Sequence, residues 1–308
     1  MTKFIIDTDP GVDDAIALVL ARQEAYPILG LSLVAGNVHL ETAKTNAFRL
    51  AKFLRRKFPI YLGSPGPITR PLETAGEIHG QDGLGESNLP YEDYPVSGEA
   101  VDFLIRSAQE EEDLCIFALG PLTNLALALR KNPQAFEGSR LIIMGGAYQV
   151  KGNTSDLAEF NFYVDPEAAD EVLRNFPGDL DLVPLDLTSQ CIFSKREIAK
   201  IAKANPAMGN FLESITRLYM EAYAREEGIE GCYINDPMTL LVYERPDLFS
   251  YERLAFRVSC QEESRGQLLR RKDQGAKTLR IYHKLKEKEV LDYLVEAMSR
   301  KLDQGGNR

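Results

Sequence analysis

The stretch Phe4-Ile5-Ile6-Asp7-Thr8-Asp9-Pro10-Gly11-Val12-Asp13-Asp14 sets four carboxylates within eight positions, directly after one apolar run and directly before another. The first run reads as a buried strand, and Ala15 to Ala21, apolar almost all round, as a buried helix. Pro10 and Gly11 supply the tight turn between them. Alternation along a strand places Asp7 and Asp9 on one face, while Asp13 and Asp14 fall on the first helical turn. Helix capping accounts for one or two such acids, not for four. Like charges this dense cost stability unless a hard, oxygen-seeking cation such as Ca²⁺ or Mg²⁺ neutralises them. The fold must therefore tolerate a buried strand, turn and helix with an anionic junction.

A chain of 308 residues, 44% hydrophobic, can bury a large core, and the expectation is one α/β domain over 1–308. Cys115, Cys191, Cys232 and Cys260 lie far apart without metal-ligand spacing, and the N-terminus runs into a strand rather than a signal sequence. A reducing, cytoplasmic compartment is expected. No apolar run approaches the roughly 20 residues that span a bilayer, so no membrane role is expected. A formal charge of −10 argues against nucleic acid and against polyphosphates held by basic loops, leaving a neutral small molecule as the expected partner.

Strand-like runs at Lys3–Asp7, Ile28–Ala35, Ile60–Leu62, Leu114–Leu119, Leu141–Met144 and Leu182–Leu185 alternate with helical patterns. This predicts an open, mostly parallel sheet with helices on both faces. Ligands bind such sheets at the carboxyl ends of the strands, and the unusual residues collect there: Asp9, Gly36-Asn37, Gly120-Pro121-Leu122-Thr123-Asn124 and Gly145-Gly146. The Gly- and Pro-rich segment from Gly63 to Pro95, with His79-Gly80-Gln81-Asp82-Gly83-Leu84-Gly85, has the length of a lid or binding loop. The charged stretch Glu262 to Glu289 reads as a solvated hairpin before an amphipathic C-terminal helix.

Two further polar clusters stand out. Asn153, Glu159 and Asn161, in the segment Gly152 to Ala169, offer donors and acceptors that suit a polyhydroxylated ligand, or else satisfy turn backbone; Asp165-Pro166 reads as a helix start. Asn235-Asp236-Pro237 also has the form of a capped helix start on local grounds.

Together these residues resemble the inosine-uridine preferring nucleoside hydrolase family over nearly the whole chain. The Asp-x-Asp-Pro-Gly-x-Asp-Asp motif is complete from Asp7 to Asp14, and Gly36-Asn37, His79-Gly80, Gly120 to Asn124, Met144-Gly145-Gly146, Glu159-Phe160-Asn161 and Asp236-Pro237 follow in order. The resemblance implies the Rossmann-like nucleoside hydrolase fold, a homodimer or homotetramer, and a ribonucleoside substrate. It implies Ca²⁺ held by Asp9, Asp14, Asp236 and the Thr123 carbonyl, with Asp13 as the base. Asn37, Met144, Asn153, Glu159, Phe160 and Asn161 then hold substrate, and Asp7 supports the site from behind. An oxocarbenium-like transition state benefits from the surrounding carboxylates and amides.

The departing base is less well provided for. Many purine-preferring members carry a histidine immediately before the last aspartate; here it is Asn235, and an amide is no general acid. That leaves His79 as the one imidazole in a matched motif, with Tyr223 and Tyr233 as alternative donors or aromatic walls. Three other readings stay open: a haloacid dehalogenase-type phosphatase with Asp7 as nucleophile, a nucleoside-binding protein without catalysis, and a hydrolase of an unusual riboside.

Overall fold

Successive residues of the first strand, β1 (Lys3–Thr8), leave the sheet on opposite faces: Phe4 and Ile6 join one buried core and Ile5 another. The computed structural model describes residues 1–22 and 26–301. The strands that follow are β2 (Ile28–Leu33), β3 (Ile60–Leu62), β4 (Gly98–Glu99), β5 (Leu114–Ala118), β6 (Arg140–Met144), β7 (Asp179–Val183), β8 (Ile192–Phe193), β9 (Cys232–Tyr233), β10 (Phe249–Val258), β11 (Leu268–Arg271) and β12 (Leu279–Leu285). Ten of them form one sheet in the order β11-β10-β12-β7-β6-β5-β1-β2-β3-β4, and β8 pairs with β9 apart from it. From β12 to β4 all neighbours run parallel; β10 and β11 are antiparallel additions at one edge.

Helices cover both faces, as the alternating pattern predicts. The core on the Phe4 side gathers the helices Val12–Ala21, Leu40–Leu54, Pro206–Glu226, Pro237–Glu244 and Glu287–Ser299. The Ile5 side gathers Ala100–Glu110, Thr123–Lys131 and Pro166–Asn175. The helix Val12–Ala21 is buried along its whole length, which explains its lack of a polar face. Among the described residues no helix is long and apolar enough to cross a membrane.

The six expected strands are present. The last is displaced to Asp179–Val183, because Pro184 carries no N–H for the ladder and Leu185 already opens the short helix Leu185–Thr188. The C-terminal hairpin is a correction. β11 and β12 do not pair with each other; both pair with β10, and β12 also lies against β7 inside the main sheet. Leu279, Ile281 and Tyr282 are buried there, and Arg280 donates to Asp181 on β7, so its charge marks a sheet-internal ion pair rather than solvent. The amphipathic helix after it is found at Glu287–Ser299.

Candidate active site

The junction after β1 is built by close backbone approach. Gly11 begins the helix Val12–Ala21, and a Cβ there would stand 2.7 Å from His79 Nδ1 and 2.8 Å from Asn37 Nδ2. At Gly36 a Cβ would lie 2.1 Å from Asp9 Oδ2, so a side chain at either position would push the acid cluster apart. The loops after β1, β2, β5 and β6 converge on one cleft, lined on its floor by Asp13, Asn37, Leu119, Met144, Glu159, Asn161 and Asp236. Asn153, Thr154 and Phe160 close a second side. Ala75, Ile78, His79, Tyr219, Tyr223, Glu226, Glu227 and Asn235 complete the lining.

Carboxylate oxygens of Asp13, Asp14 and Asp236 all lie within 4.8 Å of one another, and all three residues are buried. Asp14 accepts from the Thr8 hydroxyl, from the Gly11 N–H at 2.9 Å and from Asn37 Nδ2 at 3.1 Å. Asp9 accepts the Asn37 N–H at 2.6 Å through Oδ2, while its buried Oδ1 has no partner. Burial, and then the charges of Asp14 and Asp13, push Asp9 well above the ordinary carboxylate range. Burial, and after it the charges of Asp13, Asp14 and Asp9, do the same to Asp236. Although Asp236 precedes Pro237 at the start of the helix Pro237–Glu244, its side chain makes no capping bond, so the local reading of a capped helix start is corrected. Repelling, partly unpaired, oxygen-only donors fit a hard divalent cation.

Thr123 stands apart from this group. It opens the helix Thr123–Lys131, is buried, does not line the cleft, and donates its hydroxyl to Asp165 at 2.6 Å. Asp165 also accepts from Ala168 N–H at 3.0 Å as the cap of the helix Pro166–Asn175, as the sequence predicts. Asp7 lies behind the junction. Ser32 and Asn124 donate to it, the latter at 2.9 Å, while burial raises its carboxyl to about 7.

Glu159 accepts three backbone N–H groups, from Gly146, Asn161 and Phe162 at 2.9, 2.8 and 3.2 Å, yet burial still lifts it to about 7. Asn161 commits Nδ2 to the Leu119 and Met144 carbonyls at 2.7 and 3.3 Å. Asn153 accepts the Phe160 N–H at 2.9 Å. These side chains therefore satisfy loop backbone and line the cleft at once.

Asn235 donates through Nδ2 to Asp13 Oδ2 at 3.2 Å, and its buried Oδ1 has no hydrogen-bond partner. Burial raises Asp13 against that bond. His79 accepts the Val12 N–H on Nδ1 at 3.1 Å, and burial depresses its imidazole to about 4 despite the nearby Asp14 charge. At neutral pH it is an uncharged ring whose remaining polar group is Nε2–H. Tyr219 packs 5.0 Å from the His79 ring and 5.0 Å from Tyr223 between centroids, and burial raises both phenols. Tyr233 packs edge-to-face against Tyr223 at 5.2 Å between centroids and does not line the cleft. Sequence reasoning missed Tyr219, Ile78, Glu226 and Glu227. The available signal was the i, i+4 spacing of Tyr219 and Tyr223, which also describes an ordinary core stripe.

This arrangement agrees with what the chain is similar to. The profile of the inosine-uridine preferring nucleoside hydrolase family matches residues 4–292. Uridine nucleosidase 1 of Arabidopsis thaliana is 34% identical over 281 residues, covering 89% of this chain and 83% of that protein. A solved plant nucleoside hydrolase superposes with a TM-score of 0.92 at 30% identity, covering 97% of this chain and 99% of the other. A purine-preferring ribonucleoside hydrolase from Gardnerella vaginalis gives a TM-score of 0.90 at 27% identity, covering 96% and 98%. The chain belongs to the inosine-uridine preferring nucleoside hydrolase family and is an N-ribosyl hydrolase of ribonucleosides.

Proposed function

We propose that the enzyme holds one Ca²⁺ on Asp9, Asp14, Asp236 and the Thr123 carbonyl, and that Asp13 takes the proton of the attacking water. The observation that carries this is the buried, unpartnered Oδ1 of Asp9 beside a junction where Asp13, Asp14 and Asp236 oxygens crowd within 4.8 Å. When bound, the ion supplies positive charge that orients the ribose diol and acidifies a water molecule.

The chain's own residues do the rest. Asp13, held by Asn235, faces the cleft and in this reading is the carboxylate that serves as base toward water. Asn37, Asn153, Glu159 and Asn161 present oxygen and nitrogen atoms to the ribose hydroxyls, with Met144 and Phe160 as its apolar walls. Positive charge building on the ribose ring meets the carboxylates of Asp13 and Glu159. Asp165 holds the Thr123 hydroxyl, so in this reading the ligand that Thr123 contributes is its backbone carbonyl and not its side chain.

Reducing-sugar release from a panel of purine, pyrimidine and nicotinamide ribosides, before and after chelation and with Ca²⁺ restored, tests this reading. Metal analysis should find about one calcium per chain, the stoichiometry of an all-oxygen site of this kind. Full turnover in excess chelator overturns it. The buried free thiols Cys115, Cys191 and Cys232 support a cytoplasmic setting, and light scattering tests the expected homodimer or homotetramer.

A further inference from the structure

We propose that the preferred substrates of this cleft are ribosides whose base already carries a positive charge, such as N-ribosyl pyridinium ions or N7-alkylated purine ribosides. The proposal rests on the ribonucleoside hydrolase reading and specifies its leaving group. Three independent features of the non-ribose side carry it.

The first is the absence of a proton donor suited to a departing base. Asn235 occupies the position beside Asp236; its Nδ2 donates to Asp13, and an amide N–H can donate a hydrogen bond but gives up no proton. Its Oδ1, buried and unpartnered, is an acceptor only. His79 has committed Nδ1 to the Val12 N–H, so the ring is neutral and its Nε2–H can donate a hydrogen bond but has no spare proton to lose. A base that leaves as a neutral molecule needs none.

The second is charge. The cleft is lined by acids, with Glu226 and Glu227 at the end of the helix Pro206–Glu226 exposed on its rim. No lysine or arginine is among the described residues that line it. Of the flanking cations, Arg225 pairs with Glu226 itself at 2.8 Å and offsets that charge, which leaves Glu227 as the uncompensated rim acid; Lys151, which lies near Glu227, pairs with Asp156 at 3.0 Å. The third is the wall itself. Tyr223 borders the cleft, backed by the buried Tyr219, and a planar cation is attracted to an aromatic ring of this kind.

The reaction balances without an added acid. Water oxygen bonds to C1′, the bond from C1′ to the ring nitrogen breaks, and its electron pair returns to that nitrogen, discharging the ring. The proton of the water goes to Asp13 and then to solvent. Each turnover of a cationic riboside thus releases one net proton, whereas a neutral nucleoside releases none at a pH where its free base is neutral.

The test compares matched pairs on the calcium-loaded enzyme: 7-methylinosine against inosine, and nicotinamide riboside against uridine, with nitrophenyl riboside as a control for the hydrolytic machinery. The expected result is a kcat/KM at least about tenfold higher for each cation, since general-acid help is worth about 10²–10⁴-fold to the neutral partner and is missing here. Glu227→Gln should shrink that ratio several-fold and weaken its dependence on salt. Cation-to-neutral ratios below tenfold, with nitrophenyl riboside cleaved, overturn the proposal and leave the hydrolase reading intact. No sugar released from any riboside overturns the hydrolase reading itself.

Discussion

On and directly beneath the floor of the cleft Glu159, Asp14 and Asp9 are fixed by backbone N–H donors, whereas along the helix Pro206–Glu226 the hydroxyls of Tyr219 and Tyr223 merely face each other at 3.5 Å. The floor is a rigid, charge-dense frame whose parts come from strand ends. The wall is aromatic and amide, its ionisable groups the neutral His79 ring and two phenols that burial makes weaker acids. On the proposed mechanism, chemistry common to every ribonucleoside belongs to the floor and the choice of base to the wall. The difference teaches that bond cleavage and leaving-group activation are separable here, so substitutions on the two sides should have different kinetic signatures.

The largest expected effect breaks the floor. Asp13→Asn should lower kcat by about 10²–10⁴-fold on every riboside alike, the usual worth of a positioned base, while calcium titration shows the ion still bound. Asp14→Asn should instead lose metal affinity, because of the two neighbours that share the buried group with Asp236 only Asp14 is a proposed ligand. A substrate-dependent loss from Asp13→Asn would show that the two sides are not separable.

Next comes the wall. With no acid there, nitrophenyl riboside should be cleaved on the order of 10²-fold or more faster than inosine. Asn235→His places an imidazole beside Asp236 and should raise inosine turnover about tenfold while leaving nitrophenyl riboside nearly unchanged, since only the former needs protonation. Equal gains on both substrates would assign Asn235 to the floor through its bond to Asp13.

How much of this was legible in the sequence follows the same division. The floor was readable because Asp7 to Asp14 are contiguous and too acidic for any bland role, and because strand ends in a parallel sheet bring distant loops to one place. Asp236 was ambiguous alone: Asp-Pro has the form of a helix cap, and only its lack of a capping bond and its position beside Asp13 and Asp14 set it with the acid group. The wall was nearly silent. Tyr219 sits on a helix whose buried face also holds Phe211, Leu212 and Ile215, and nothing local distinguishes a cleft residue from its core neighbours. β12 was misread for the converse reason, since Arg280 and Lys284 masked the buried Leu279 and Ile281.

A smaller effect concerns stability. Asp9, Asp14 and Asp236 are all raised, chiefly by burial, so between the unfolded value of about 3.9 and their folded values the native state holds more protons than the unfolded one. Stability of the chelated protein must then fall as pH rises through that window. It should melt at a lower temperature at pH 8 than at pH 5. Calcium at about 100 times its Kd adds about 2.7 kcal/mol, which at about 2–4 °C per kcal/mol is a gain of several degrees, and should flatten the slope. A chelated protein that gains stability from pH 5 to pH 8 would show that the floor is not charge-strained.

The smallest expected effect tests whether the wall is surface or chemistry. Tyr223 lines the cleft through its ring, and burial raises its phenol, which makes the hydroxyl a poorer proton donor than in water. Tyr223→Phe keeps the aromatic face and removes only the hydroxyl, which lies 3.5 Å from Tyr219 Oη at the limit of a hydrogen bond. Turnover of inosine should therefore change by no more than about threefold, the scale of one weak neutral hydrogen bond. Tyr223→Ala, which removes the face as well, should raise KM for base-bearing substrates more than for nitrophenyl riboside if the base stacks there. A loss of about 10²-fold or more from Tyr223→Phe, confined to inosine and absent with nitrophenyl riboside, would identify the hydroxyl as the missing acid. The wall would then be catalytic, and its contrast with the floor would be one of pKa rather than of function.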